Sequence, residues 1–429
     1  MTKYQAPAGT IVRGWTVALE PTPEQAAQFR RDCGARRFAY NWAVTRISES
    51  FDAGKETGEY DPAVWSAYSL RKRWNAAKAD TAPWWAENSK ESYAGGIADA
   101  VTALKNWHDS KTGKRPGPKM RFPRRKKKTR DRPRCAYTTG ALRVDGSRTV
   151  VLPKVGTVRT AENIRPLWRH IRRGTGRVMS ATIREKAGHW SVSMRLEITA
   201  PRQPAPRTST VGVDVGIGQH LLIVMHPDGT VAEKVPNPKA LRASLADLRK
   251  ANKALARKTE RSPRWWQAQR TLARTQARAA NIRSDAIHKA TTHLAKTHGQ
   301  VVIEDLAVRQ LIRGIRSHRK SWADAAAGEM RRQLTYKAGW YGCDLRIADR
   351  WYPSSKTCSA CGSVNRDLAL SDRTWDCPSC GVHHDRDENA ATNLANYPAS
   401  QAEALSDGKT GLARHDAVKR VNHLRKVAA

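Results

Sequence analysis

No run of this 429-residue sequence approaches the roughly 20 consecutive apolar residues that a bilayer-crossing helix needs, so no membrane partner is expected. The opening stretch MTKYQAPAGTIVRGW lacks the apolar centre of a secretory leader. Cysteine is scarce as well: of seven, four fall in two CxxC pairs, while Cys33, Cys135 and Cys343 stand alone as core or bystander thiols. Such usage argues against a secreted disulfide framework and fits metal binding in a reducing compartment. A cytoplasmic, nucleoid-associated bacterial location is expected. Acid is the other shortage: 39 Asp and Glu face 77 Lys and Arg, a net charge of +38. Solubility needs no such excess. A polyanionic partner does, since each cation that neutralises a phosphate frees a condensed counterion. With fifteen Trp alongside, nucleic acid is the expected partner. A ribosomal or histone-like binder would share the charge but has no use for clustered acids.

The stretch TVALEPTPEQAAQFRRDCG predicts a strand and then a helix. Thr22 caps it, Pro23 takes its first position, Gln25 completes a capping box and Gly34 ends it. A second helix is expected through ARRFAYNWAVTRISESF. Another begins near residue 88, with Asn88 and Glu91 at capping-box spacing and Tyr93, Ile97, Ala100, Leu104 and Trp107 on one face. Residues 111–134 then hold thirteen basic residues and one acid, interrupted by Pro and Gly so that no regular helix runs through them. A solvated spacer is the plain reading of a charge run. The one-signed composition with interleaved Pro and aromatic residues favours phosphate contact, by Arg124, Arg125, Lys126 and Lys127 among others.

Residues 135–200 alternate apolar and polar in short stretches, which predicts a small β-barrel, and APRQPAPRTS at 200–209 reads as a linker. Strands are expected in TVGVDVG, HLLIVM and TVAEKV, the last two joined by the tight turn HPDG. Helices reaching about residue 298 and the strands QVVIEDL and CDLRIAD complete an α/β pattern with a central sheet. Beyond Pro398 the sequence is polar and aperiodic, and disorder is expected over 399–429.

Two features carry chemistry. Cys358 and Cys361 are followed fifteen residues later by Cys377 and Cys380. In this zinc-ribbon spacing each CxxC forms a knuckle that turns two sulfurs to one tetrahedral ion. Four thiolates leave no open position, so the expected Zn²⁺ is structural. The second feature is a set of acids in unusual places. Asp214 lies inside an apolar strand, Glu304 ends another, and Asp387 stands in the first turn of the last helix. A buried carboxylate without a partner costs several kcal/mol or takes up a proton, so packing does not explain the three together. Two strands and a helix that converge their carboxylates can hold two Mg²⁺ ions about 4 Å apart, the arrangement of two-metal phosphodiester cleavage. Asp385 competes with Asp387 for the third position. Asp385 is better placed as the helix cap, so Asp387 is assigned as the ligand.

The acids and the strand order resemble the RNase H-like fold of RuvC nucleases, with the ribbon inserted between the fifth strand and the last helix. The whole chain resembles the TnpB family of RNA-guided nucleases from IS200/IS605- and IS607-type insertion sequences, relatives of the Cas12 effectors. The resemblance spans roughly residues 12–398. Its carriers are LEPTPEQ and GARRFAYNWAV, VGVDVGIGQHLLIV, VVIEDL, RRQLTYKAGWYG, YPSSKTCSACG and CPSCGVHHDRDENAATNL. It implies a multidomain chain of α+β and α/β parts. A wedge β-barrel (1–20 and 111–200) would be interrupted by a helical recognition lobe (21–110). A RuvC-like nuclease (208–354 and 382–398) would follow, containing the zinc ribbon (355–381). It further implies that Asp214, Glu304 and Asp387 are the catalytic acids. A guide RNA and target double-stranded DNA become the partners, held by a monomer, with base pairing supplying specificity beside a short adjacent motif. Tyr60 and Lys90 align with motif-reading positions, although packing and capping also explain them. Arg37, Tyr40 and Asn41 match the family's N-terminal motif and either contact nucleic acid or pack and cap. A non-catalytic ribbon-bearing regulator and a strand-transferring transposase are the competing readings.

Overall fold

Helix start and stop signals decide the first half of the molecule. The computed structural model describes residues 4, 6–129, 131–138, 140–200, 207–313, 318–369, 371–398, 400 and 403–404, in two units, Met1–Ala200 and Pro201–Ala429. In the first, β1 (Thr10–Glu20) leads into α1 (Pro23–Thr57). Thr22 and Gln25 form the expected capping box, each side chain accepting from the other's backbone N–H, at 3.3 and 3.1 Å. The expected break at Gly34 does not occur. Gly34 continues the helix, which ends only at Gly58, where φ reaches the left-handed value of 77°. A glycine stops a helix by adopting that conformation, and Gly34 is not among the positive-φ residues. The two expected helices are therefore one, about 52 Å long. Its first turns send Phe29 and Cys33 into the core of the sheet described next. Ala35, Ala39, Ala43 and Ile47 enter a second core with α2 (Ala67–Thr81) and α3 (Lys90–Lys111). The cap of α3 is Ser89, one residue later than expected, its hydroxyl accepting from Glu91 N–H. Asn88 instead donates its amide to Tyr93 Oη.

Between α3 and β2 (Arg134–Thr138) the basic run has no regular structure over its described residues. β3 (Arg143–Val144), β4 (Thr149–Leu152), β5 (Gly156–Thr160), α4 (Arg165–Arg172) and the long hairpin β6 (Gly176–Lys186) to β7 (His189–Thr199) complete the unit. The sheet order is β2-β6-β7-β1-β5-β4-β3. Laid flat, seven strands would be about 29 Å wide, whereas the step from Thr138 to Arg143 spans about 18 Å at most. The sheet must therefore curl toward a barrel, although no ladder joins β2 to β3 among the described residues.

The second unit opens with β8 (Thr210–Val215), β9 (His220–Met225) and β10 (Val231–Pro236). Helices α5 (Ala240–Ala243), α6 (Leu245–Ala256) and α7 (Pro263–Thr297) lead to β11 (Gln300–Glu304). After α8 (Val308–Arg313), α9 (Arg319–Ala325) and α10 (Ala327–Tyr341) comes β12 (Asp344–Ala348). The sheet runs β10-β9-β8-β11-β12, with β8, β11 and β12 parallel and a last short strand, β15 (Glu403–Ala404), beside β12. Its core is Val211, Val213, Val301, Ile303, Leu345 and Ile347 against Ile287, Leu294, Met330 and Leu334 of the helices. Between β12 and α11 (Arg386–Ala395) lies the cysteine-bearing loop with its hairpin β13 (Thr374–Asp376) and β14 (His383–Asp385). Because β14 pairs with β13, Thr374 opposite Asp385, the loop extends to Asp385 rather than ending at 381. Two residues of the expected disordered tail form β15 (Glu403–Ala404), paired with β12. Residues 405–429 lie outside the described residues. Among the described residues no helix is long and apolar enough to cross a membrane.

Candidate functional site

Parallel pairing sets the site. Ile303 of β11 stands opposite Val213 of β8, so one further step brings Glu304 level with Asp214, on strands about 4.8 Å apart. The third acid comes from α11, which lies directly on β8. A Cβ at Gly212 would stand 2.0 Å from the Ala391 carbonyl oxygen and 2.3 Å from Ala395 N, so only glycine permits this approach. At the start of that helix Asp385 is the cap, its carboxylate accepting from the N–H groups of Asp387 at 2.9 Å and Glu388 at 3.0 Å. Asp387 is thereby left free in the first turn.

The electrostatics tie the three together. Burial raises the pKa of Asp214 well above the ordinary carboxylate range, and the charges of Glu304 and Asp387 raise it further. Burial also raises Glu304, against a hydrogen bond from Ser354 Oγ that favours its charged form. Asp387 is raised by burial and by Asp385, with Arg373, Arg386 and His220 opposing. Among the described residues none of the three makes an ion pair. The neighbouring residue gives the contrast. Asp305 is paired with both Arg331 and Arg350. In a chain of net charge +38, the adjacent acids Glu304 and Asp305 are treated oppositely, and Asp214 feels the charges of the other two acids left without an ion pair. Oxygen donors in such a set suit a hard divalent cation such as Mg²⁺. The three do not gather as tightly as the cysteines, the group whose ligand atoms all fall within 4.8 Å among the described residues.

For the cysteine quartet the fit is quantitative. A tetrahedral zinc ion with bonds of about 2.3 Å sets its sulfurs about 3.8 Å apart. The pairs Cys358–Cys380 and Cys361–Cys377 each stand 3.7 Å apart. Gly362 and Gly381, one after each knuckle, supply its turn. Sequence reasoning missed His384, buried against Trp375, whose Nε2 lies 3.0 Å from Cys358 Sγ. It also missed Ser354. Their signals, a His next to the knuckle and a Ser in YPSSK, were too common to single out.

The nucleic-acid candidates separate into two groups. Asn41 is tied at both ends to the Lys126 backbone, donating to its carbonyl at 3.0 Å and accepting from its N–H at 2.7 Å. Tyr40 is buried with the Lys126 ammonium 4.0 Å from its ring centroid. Both therefore pack and anchor the basic run to α1. Lys126 is half-buried above that ring, whereas Arg124, Arg125 and Lys127 are exposed. Arg37 lines a cleft with Arg31 and Trp84. Lys90 lines another, of about 810 Å³, with Arg71, Lys78, Lys154, Trp85 and Tyr93. Tyr60 keeps one side exposed and packs the other on Phe51.

Comparison with known proteins now bears on this geometry. The family model described as the Cas12f1-like TNB domain matches residues 328–394, and "Probable transposase" matches 193–313. A helix-turn-helix model matches 12–56, which here is β1 followed by the unbroken α1. A Mycobacterium tuberculosis protein provisionally named RNA-guided DNA endonuclease Rv2885c is 43% identical over 412 residues, 92% of this chain and 89% of that one. The chain belongs to the TnpB family. InsQ of Escherichia coli K12, under the same provisional name, is 29% identical to this TnpB-family chain over 88% of it and 90% of its own length. A Cas12f ternary complex solved by cryo-electron microscopy covers 87% of the chain and 82% of its own at 14% identity. Its TM-score of 0.36 marks a likeness too loose to build on. In TnpB terms, the matched TNB segment holds the cysteine-bearing loop and the start of α11, and therefore Asp387.

Proposed function

We propose that the chain is an RNA-guided DNA endonuclease of a transposable element, cutting target double-stranded DNA beside a short adjacent motif. The cut is made in one RuvC-like site. One observation carries the reading: carboxylates from β8, β11 and α11 are all raised by burial, the charges of Glu304 and Asp387 raise Asp214 further, and among the described residues of a strongly basic chain none of the three makes an ion pair. The names of the relatives and the central position of β8 in the sheet support it. A pair of Mg²⁺ ions, when bound, supplies an activated water and stabilises the leaving 3′ oxygen. Asp214, whose carboxylate feels the charges of both other acids, would hold the ions together with them. Glu304 gives one oxygen to Ser354 and keeps the other for ligation, while Asp387 closes the site from α11. Products with 5′-phosphate and 3′-hydroxyl ends follow. The curled sheet and α1–α3 form the wedge and recognition parts that grip the guide RNA and the motif duplex. The exposed cations of the basic run lie along its phosphates. The protein acts as a monomer on its RNA.

The test is cleavage of a target plasmid by the purified protein–RNA complex, with and without Mg²⁺. Asp214→Ala, Glu304→Ala and Asp387→Ala are each expected to lower the rate at least ~100-fold, with RNA and DNA binding retained. Wild-type cutting by any one of them rejects its assignment. The "Probable transposase" match makes strand transfer the second reading, and joined transposon ends in the same assay would establish it.

A further inference from the structure

Ser354 is buried, and its hydroxyl donates to Glu304 Oε1. Its own carbonyl is held too. The side-chain amides of Asn389 and Asn393, one turn apart on α11, both donate to the Ser354 and Thr357 carbonyls, with Asn393 at 2.7 and 2.6 Å. Both asparagines are buried, where an amide is retained only if its hydrogen bonds are made. The segment between the two carbonyls is one tight turn, with Lys356 and Thr357 N–H donating to the Pro353 carbonyl at 2.9 Å. The next residue is Cys358, first of the metal-holding sulfurs. From the other side Ser359 N–H donates to Asn389 Oδ1 at 2.9 Å. Upstream, Tyr352 packs edge-on against Tyr397, and Arg350 pairs with Asp305 beside Glu304. One short turn thus touches Glu304, the helix that carries Asp387, and the first knuckle of the metal loop.

We propose that Ser354 is a positioning residue for Glu304, and that the Asn389–Asn393 clamp lets the metal loop set the spacing of the catalytic acids through it. The proposal rests on the reading of Asp214, Glu304 and Asp387 as the nuclease site. A carboxylate with one oxygen fixed by a hydroxyl keeps a single orientation, and its free oxygen is aimed before any cation arrives. Without the hydroxyl the carboxylate rotates among several orientations, and cation affinity falls while the chemistry at saturation largely survives.

The experiment uses the full chain with its RNA and Mn²⁺ as the probe, reading bound ion by electron paramagnetic resonance and, separately, cleavage rate against Mn²⁺ concentration. Ser354→Ala is expected to weaken Mn²⁺ binding about 10-fold or more, with the saturating rate lowered far less. Ser354→Thr, which keeps the hydroxyl, is expected to restore affinity. Asn393→Ala should weaken binding in the same way, and its effect should not add to that of Ser354→Ala, because both act on one carboxylate. Unchanged Mn²⁺ affinity in Ser354→Ala overturns the positioning role, and strictly additive effects overturn the clamp. A Ser354→Ala protein that melts like its parent yet loses rate equally at all Mn²⁺ concentrations also counts against the proposal. Glu304→Ala is the separate control. If it still cuts, the nuclease reading itself fails, whatever Ser354 does.

Discussion

A carboxylate is informative when its surroundings do not explain it, and this molecule sorts its acids on that basis. Asp99 draws in Arg36 at 2.9 Å, Arg134 at 2.8 Å and Lys126 at 3.9 Å. Asp32 is fully buried and accepts from Ser89 N–H at 2.9 Å and Tyr137 Oη at 3.1 Å. Burial nonetheless raises its pKa above the usual 3.8. The folded protein therefore holds that proton more tightly than the unfolded chain. The stabilising difference is full below the ordinary value and is lost as pH rises through the raised one. Asp32→Asn stays neutral throughout, so the parent should lose stability relative to it as pH climbs from below the ordinary carboxylate value through the raised one. Denaturant melts of both proteins across that range measure the difference, and a constant difference would contradict the burial argument. At this scale the catalytic candidates were legible, because acids inside apolar strands stand out. Ser354, Asp99 and His384 were not, since their roles depend on partners that the fold brings from far along the chain.

Elements were legible where a local signal decides them and obscure where only geometry does. The capping box of α1 could be read directly, whereas its length could not, because a glycine in a helix looks the same in sequence whether or not it takes a left-handed φ. A Cβ at Gly34 meets nothing within 4 Å, so Gly34→Ala should stabilise the helix by about 1 kcal/mol. A thermal melt of the RNA-free protein should rise by roughly 2–4 °C. A fall would mean that Gly34 is needed for something other than helix continuity. The cap of α3 shifted from Asn88 to Ser89 because the buried Asp32 holds the Ser89 backbone N–H. That contact joins residues 57 apart, and no local pattern announces it. The alternation in 135–200 predicted strands correctly, yet the inclusion of β1 in the same sheet depends on the long pairing of Thr10–Leu19 with β7.

For the whole molecule the governing quantity is charge. The basic run is bound to α1 through Lys126 and Asn41 and presents Arg124, Arg125 and Lys127 outward. Replacing these three by Gln should leave folding unchanged. It should also lower the slope of log affinity for guide RNA against log salt by up to ~2–3. Binding titrations at several salt concentrations test this, and an unchanged slope would return the segment to the role of solvated spacer. In the sequence, the net charge and the two CxxC pairs point to a nucleic-acid partner and to metal binding. The curl of the first sheet follows from strand order, which composition does not encode.

The way α11 lies on β8 across Gly212 has a consequence for how the protein is made. Asp214 leaves the ribosome about 170 residues before Arg386–Ala395, the helix that faces it, is translated. On the nuclease reading, a nascent chain already able to hold RNA has no complete cutting centre until synthesis has passed Ala395. A premature stop codon between Asp214 and Ala395 would leave a fragment without a complete cutting centre.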